Sequence, residues 1–231
     1  MSLFAIADLH LPGGQEKPMN VFGEHWDRHF EQISQSWRET VGEQVTVLIA
    51  GDISWAMQLQ QAIPDLESIG LLPGKKILIR GNHDYWWSAI GRVRAALPAG
   101  MYALQQDALD IGEAIVCGTR GWTFPAGDTK LSEEDQKIYQ RELIRTESAL
   151  QAAQRLAGDS KPIIAMLHYP PLYDNERDTA FTALFEKYQV SQVIYGHLHA
   201  ESIRLAFDGE HHGVRYRLTS CDALHFQVTS I

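Results

Sequence analysis

Short apolar runs recur along the chain, and each stops abruptly at polar residues. Residues 3–7 (LFAIA), 46–50 (TVLIA), 76–79 (KILI), 114–117 (AIVC), 162–167 (PIIAML) and 192–195 (QVIY) show almost no polar alternation. Such continuous apolarity predicts strands covered on both faces, as in a parallel sheet. Later, 214–220 (VRYRLTS) and 226–231 (FQVTSI) alternate apolar with polar, which predicts half-exposed antiparallel strands. Helical patterns lie between. In 20–38, Phe22, Trp26, Phe30, Ile33 and Trp37 recur at helical spacing and predict one amphipathic helix. The stretch S-E-E-D at 132–135 resembles a capping box, starting a helix that runs to about Leu156 before Gly158. A third helix is predicted over 179–188, with Phe181, Leu184, Phe185 and Tyr188 on one side. Strands alternating with helices predict an α/β or layered α+β architecture.

Length and composition add limits. A chain of 231 residues with 45% hydrophobic side chains suits one folded domain spanning 1–231. Residues 119–160 read as its most insertion-like part, a flap over one end of the sheet. The formal charge of −9 is spread without a basic block, which argues against an extended nucleic-acid surface. It leaves room for an anionic ligand, because bound metal ions reverse the sign locally. Cys117 and Cys221 lie in apolar or strand-like stretches and are expected as buried reduced thiols. The segment MSLFAIADLH lacks the marks of a signal peptide, and no stretch is long enough to span a bilayer. The expected location is cytoplasmic, with no membrane partner.

The polar residues at the strand ends carry the chemistry. Strand 3–7 ends in Asp8-Leu9-His10, strand 46–50 in Gly51-Asp52, and strand 76–79 in Gly81-Asn82-His83-Asp84. Strand 162–167 ends in His168, and strand 192–195 in Gly196-His197-Leu198-His199. The carboxyl ends of parallel strands share one sheet edge, where α/β ligand sites form. A single Asp-x-His or Gly-Asp is weak, since either occurs in ordinary turns. Five such endings on five strands form a pattern. Imidazole and carboxylate donors without thiolate suit Mn, Fe or Zn. So many donors exceed one tetrahedral ion and suit two ions about 3.5–4 Å apart. Gly51, Gly81 and Gly196 precede the donors, where a sharp backbone turn is expected.

Those motifs, in that order over residues 8–199, resemble the calcineurin-like metallophosphoesterases. The resemblance implies a metallophosphatase-like fold, with two mixed β-sheets packed as a sandwich and flanked by helices. It implies two divalent or mixed-valence metal ions. Asp8, His10 and His199 would take one, Asn82, His168 and His197 the other, with Asp52 bridging. Catalysis would run through a metal-bridging hydroxide attacking phosphorus in line. His83 would stabilise the transition state or protonate the leaving oxygen, with Asp84 as an orienting neighbour.

Within that superfamily, protein Ser/Thr phosphatases carry G-D-x-x-D-R-G. Here the stretch is Gly51-Asp52-Ile53-Ser54-Trp55-Ala56-Met57, without the second Asp and the Arg. Lipid-A-precursor pyrophosphatases typically place Arg where His83 stands, and the DNA-repair nucleases carry large additional domains. The expected substrate is therefore a small-molecule or nucleotide phosphomono- or diester. Two rivals are a nuclease of short nucleic acid and a non-catalytic protein-binding scaffold, as in one retromer subunit. The unbroken ligand set and His83 weigh against the scaffold. No substrate-binding residue is assigned.

Other conspicuous residues have plainer readings. His25 and His29, four apart, read as a solvated helix face. His211-His212, between Gly209 and Gly213, reads as a hairpin loop. Trp86, Trp87 and Trp122 read as core rather than as a base-stacking wall. Pro170-Pro171 reads as fixing the turn after His168, and nothing in the spacing gives Asp174, Arg177 or Asp178 a role.

Overall fold

The computed structural model of the chain describes residues 3–14, 19–127, 130–158 and 160–231. Strands β1 (Leu3–Ile6), β2 (Thr46–Ile49), β3 (Lys75–Leu78) and β4 (Met101–Ala103) come first. Next come β5 (Asp107–Asp110), β6 (Ile115–Thr119), β7 (Ile163–Leu167) and β8 (Gln192–Tyr195). The last are β9 (Gly209–His211), β10 (Val214–Leu218) and β11 (Thr229–Ser230). Helices α1 (His29–Thr40), α2 (Leu59–Gly70), α3 (Ile90–Ala96), α4 (Glu133–Ala157) and α5 (Ala180–Lys187) lie among them. Two compact units result, one from Met1–Ala103 with Thr219–Ile231, the other from Leu104–Leu218.

The first unit is built on a five-stranded sheet in the order β11-β1-β2-β3-β4. β1 to β4 are mutually parallel, and β11 runs antiparallel to β1. The second unit has a six-stranded sheet ordered β5-β6-β7-β8-β10-β9, parallel from β6 through β10 with antiparallel edges. Two mixed sheets with flanking helices are the expected fold class. Every residue of β2, β6 and β7 is buried, as their unbroken apolarity predicts. In the first unit Trp26, Ile33, Trp37, Leu66, Ile69 and Trp86 form the core with the strand side chains. In the second, Leu150, Phe181, Phe185 and Tyr216 are buried, with α4 packed on β6, β7 and α5 and β10 paired with β8.

Several boundaries differ from the sequence reading. The single helix expected over 20–38 is broken. It comprises 3-10 turns at Met19–Phe22 and Glu24–Trp26, then α1. Gly23 at φ 133° and Arg28 at φ 48° interrupt the helical backbone. Trp26, Ile33 and Trp37 still face the core, but Phe22 is exposed. Of residues 214–220 only 214–218 alternate in burial, Thr219 and Ser220 being buried in succession, and β10 runs parallel to β8 and is antiparallel only to β9. Of 226–231 only the two residues of β11 pair as a strand.

The helix expected from Ser132 holds. The Ser132 hydroxyl accepts the Asp135 amide at 3.0 Å, and Gly158 ends the helix at φ 55° and ψ −140°, a backbone conformation open chiefly to glycine, its amide donating to Gln154 O. Among the described residues of 119–160 are the end of β6 and α4, which packs on β5 and β6. Among the described residues, no helix is long and apolar enough to cross a membrane.

Candidate metal centre

In the first unit three adjacent parallel strands end in motif residues. Beyond β1 and β2 the two segments continue side by side. The Asp8 amide donates to Gly51 O at 2.9 Å, the His10 amide to Asp52 O at 3.0 Å, and the Leu11 amide to Ile53 O at 2.9 Å. To run this way the backbone turns left-handed at Asp8 (φ 62°), His10 (φ 45°) and Asp52 (φ 51°), with Gly51 at φ 91°. Non-glycine residues avoid this region, and such strain gathers at functional sites. The Cys221 thiol donates to Asp8 O at 3.0 Å and the Ala7 amide to Thr219 O, pinning the first turn from the far end of the chain.

The side chains converge. Asp8 offers a ligand atom within 4.8 Å of one from His10 and one from Asp52. His10 Nε2 lies 3.8 Å from Asp52 Oδ2, and all three residues are buried. Asp52 Oδ1 accepts the His83 amide at 2.8 Å, so the bend after β3 is tied to the bend after β2. Gly81 explains how the two loops come so close. A methyl group there would overlap both Oδ1 and the amide nitrogen of Asp52. The sequence reading required Gly81 for a sharp turn, but the structure requires it for close approach, because its φ is not left-handed.

Asp84, fully buried, is the hub beneath these loops. Its Oδ1 accepts the Ile53 amide at 2.9 Å, the Ser54 amide at 3.1 Å and Trp86 Nε1 at 2.9 Å. Its Oδ2 accepts the Gly81 amide at 2.7 Å. Burial raises its pKa, and the four donors pull the other way.

A second buried carboxylate works in the same manner. Asp65 Oδ2 accepts the Gly13 amide at 2.8 Å and the Ser54 hydroxyl at 2.5 Å, joining the loops after β1 and β2. Burial pushes its carboxyl above the ordinary value despite both bonds. The indole of Trp55 stacks on His10 at 4.8 Å and lies 4.5 Å from the His83 ring.

Sequence reasoning missed Asp65 and Trp55. Asp65 lies inside an unpredicted helix, and Trp55 stood in the comparison with the phosphatase motif without a role. His29, read as solvated, is in fact buried, with Nε2 donating to Leu9 O at 2.8 Å. Trp86 and Trp87 are core, as read.

In the second unit β7 ends in His168 and its neighbour β8 in Gly196-His197-Leu198-His199. The Gly196 amide donates to His168 O at 3.1 Å. His197, left-handed at φ 73°, turns its ring toward His168, with Nδ1 3.3 Å from His168 Nε2. Tyr169 lies 4.3 Å from the His197 ring, and Trp122 packs 4.9 Å from Tyr169. Trp122 is therefore an element of a half-buried aromatic face, its Nε1 donating to Asp135 and Arg120 lying over its ring. The His199 amide donates to the Ser202 hydroxyl at 2.8 Å, which fixes the start of the 3-10 turn Ala200–Leu205. Asn82 and His83 are half-buried in the bend after β3.

This donor chemistry fits a divalent transition metal. Buried carboxylates close together repel, and a cation held by Asp8 and Asp52 would remove that penalty. Imidazoles complete a nitrogen and oxygen set, while thiolate takes no part. The cysteines are free and buried, and burial pushes the Cys117 thiol up to about 12.

A family model for calcineurin-like phosphoesterases matches residues 1–201, and the chain belongs to that family. Its class is thus that of a metal-binding hydrolase of phosphoric esters. Among solved structures it is similar to a phosphopantetheinyl hydrolase from Mycobacterium tuberculosis. Identity is 14%, the match covers 100% of this chain and 95% of that one, and the TM-score is 0.57. A protein of unknown function, AQ665 from Aquifex aeolicus, matches at 14% identity over 99% and 95%, with a TM-score of 0.53. The protein TT1561 of Thermus thermophilus matches at 13% identity over 85% and 81%, with a TM-score of 0.54. At these identities the likeness is one of fold. No curated protein sequence matched.

Proposed function

We propose that this chain hydrolyses a phosphomonoester or phosphodiester of a small molecule or nucleotide with the help of two divalent ions. The ligands we assign are Asp8, His10, Asp52, Asn82, His168, His197 and His199, with Mn, Fe or Zn as the ions. The observation that carries the reading is the buried pair Asp8 and Asp52, joined by His10 and backed by His83. Bound there, the ions would supply the positive charge that activates water and neutralises charge developing on phosphorus.

The chain's own residues supply the rest. His83 is the proton donor to the leaving oxygen, with Asp52 accepting its amide and Trp55 against its ring. Asp84 holds the bends after β2 and β3 in fixed relation, so His83 and Asp52 keep their spacing. The Trp55 indole restrains the His10 ring from one face. The acidic chain without a basic block favours a compact ester over a long nucleic acid.

The test is a substrate panel run with Mn²⁺ alongside elemental analysis of the purified protein. It includes aryl phosphates, an aryl phosphodiester, nucleotides, a phosphopantetheinyl ester and a short oligonucleotide. We expect metal-dependent turnover of at least one small ester. In His83→Ala it should fall by about 10²–10⁴-fold with circular dichroism unchanged, and Asn82→Ala should also lose activity. Unchanged hydrolysis in His83→Ala would remove that residue from catalysis. Metal-free protein with no turnover of any ester would sink the whole reading.

A further inference from the structure

The two histidines read as a hairpin loop do more than turn the chain. Strands β9 and β10 pair with His211 opposite Val214, so His212-Gly213 is a two-residue turn. Both turn residues are left-handed, His212 at φ 47° and Gly213 at φ 77°. That is the geometry of the mirror-image hairpin turn that favours Asn-Gly. Here His occupies the first position. Instead of facing opposite ways, as neighbours on a strand do, the two imidazoles meet with centroids 4.1 Å apart.

A carboxylate from distant sequence lies against both rings. Asp178, just before α5, places Oδ1 2.8 Å from His211 Nε2 and 3.4 Å from His212 Nε2. One ligand atom from each of the three residues lies within 4.8 Å of the other two. The His211 hydrogen bond holds the Asp178 carboxyl below its ordinary value, so it is an anion at neutral pH. His211 is mostly buried, packed edge-on against Phe207 at 6.4 Å, while His212 and Asp178 face solvent. Phe207 in turn lies under the Arg177 guanidinium at 4.1 Å. The inner ligand is thus set by packing, and the outer two are open to the medium.

We propose that His211, His212 and Asp178 form an accessory metal site for a borderline divalent cation such as Zn²⁺, Ni²⁺, Co²⁺ or Cu²⁺. Two imidazoles and one carboxylate select that class over Mg²⁺ and Ca²⁺, which demand oxygen-rich shells. Three protein donors leave further positions for water. The site shares no residue with the phosphoesterase ligands assigned above and lies wholly within the second unit. Its occupant would staple the β9–β10 turn to the segment between His168 and α5. Arg177 is already bound into that segment through Asp174.

Zinc binding measured by calorimetry and by elemental analysis after desalting tests the site. It is done on the metal-stripped full chain, on the double variant His211→Ala/His212→Ala and on Asp178→Asn. Wild type should retain one more Zn²⁺ per chain than the double variant, with circular dichroism and hydrolysis of an aryl phosphate unchanged. Asp178→Asn should weaken that extra event by about tenfold or more, since even an outer partner of a metal ligand is worth that much. Zn²⁺ should also shift the imidazole ¹⁵N resonances of His211 and His212 in wild type. Equal zinc stoichiometry and affinity in wild type and the double variant would overturn the proposal. Should the double variant fail to fold, equal affinity in Asp178→Asn, whose carboxylate is exposed, would overturn it.

Discussion

Gly81 and Asp52 stand in van der Waals contact. The α-carbon of one faces the carboxylate of the other so closely that no side chain fits between them. Gly81→Ala must therefore push apart the bends after β2 and β3. Overpacking of this kind costs about 1–3 kcal/mol. A displacement near 1 Å at a catalytic group lowers turnover by about 10²-fold. Urea unfolding and kcat/KM of an aryl phosphate with Mn²⁺ should both register the change. Wild-type values in both would show that the loops yield without cost.

Asp84 distinguishes its two oxygens. Oδ1 serves three donors and Oδ2 serves the Gly81 amide alone. Asp84→Asn can keep the three bonds to Oδ1 and turn its amide toward Gly81, losing one bond. Asp84→Ala leaves four buried N–H groups without their acceptor, each worth about 1–3 kcal/mol when unsatisfied. Alanine should therefore cost more than about 3 kcal/mol in urea unfolding, and asparagine distinctly less. Equal losses would deny the carboxylate its role as a hub.

His29 makes stability depend on pH. Burial holds its imidazole below the ordinary 6.5, outweighing the opposing pull of the Leu9 and Trp26 carbonyls. As pH falls through 6.5 the unfolded chain takes up a proton that the folded chain still refuses. The stability present above 6.5 is then lost as pH falls toward the lowered folded value. One such group contributes a slope of at most about 1.4 kcal/mol per pH unit. In His29→Gln the fall in urea midpoint below pH 6.5 should be shallower than in wild type. Parallel profiles would place the sensitivity elsewhere.

Metal loading should act on the fold as well as on turnover. A ligand that binds only the folded chain stabilises it by about 2.7 kcal/mol at a hundred times its dissociation constant. Mn²⁺ should raise the melting temperature of wild type, and a chelator should reverse the rise. Asp52→Asn removes one of two clustered buried charges. That relieves repulsion in the metal-free protein, so its melting temperature should match or exceed metal-free wild type while its response to Mn²⁺ shrinks. An undiminished Mn²⁺ response in Asp52→Asn would separate that carboxylate from the metal.

The sequence by itself determined the buried strands and the motif at the end of each. Continuous apolar runs have one physical reading, burial on both faces, and β2, β7 and β8 follow it within a residue. The cap of α4 was legible because Ser132 and Asp135 act locally, across three residues. Contacts between remote segments decided the rest. Short edge strands β4, β5 and β9 draw their order from a neighbour's hydrogen bonds, and three or four residues carry too little pattern to announce them. Helix α2 was hidden by Pro64, whose disruptive propensity is overridden by packing of Ala62, Leu66 and Ile69. Likewise Asp84, Asp65, Gly81 and Trp55 gained their roles from partners that only the folded chain brings near. A motif records which donors are present, but how closely two loops approach is fixed by everything packed beneath them.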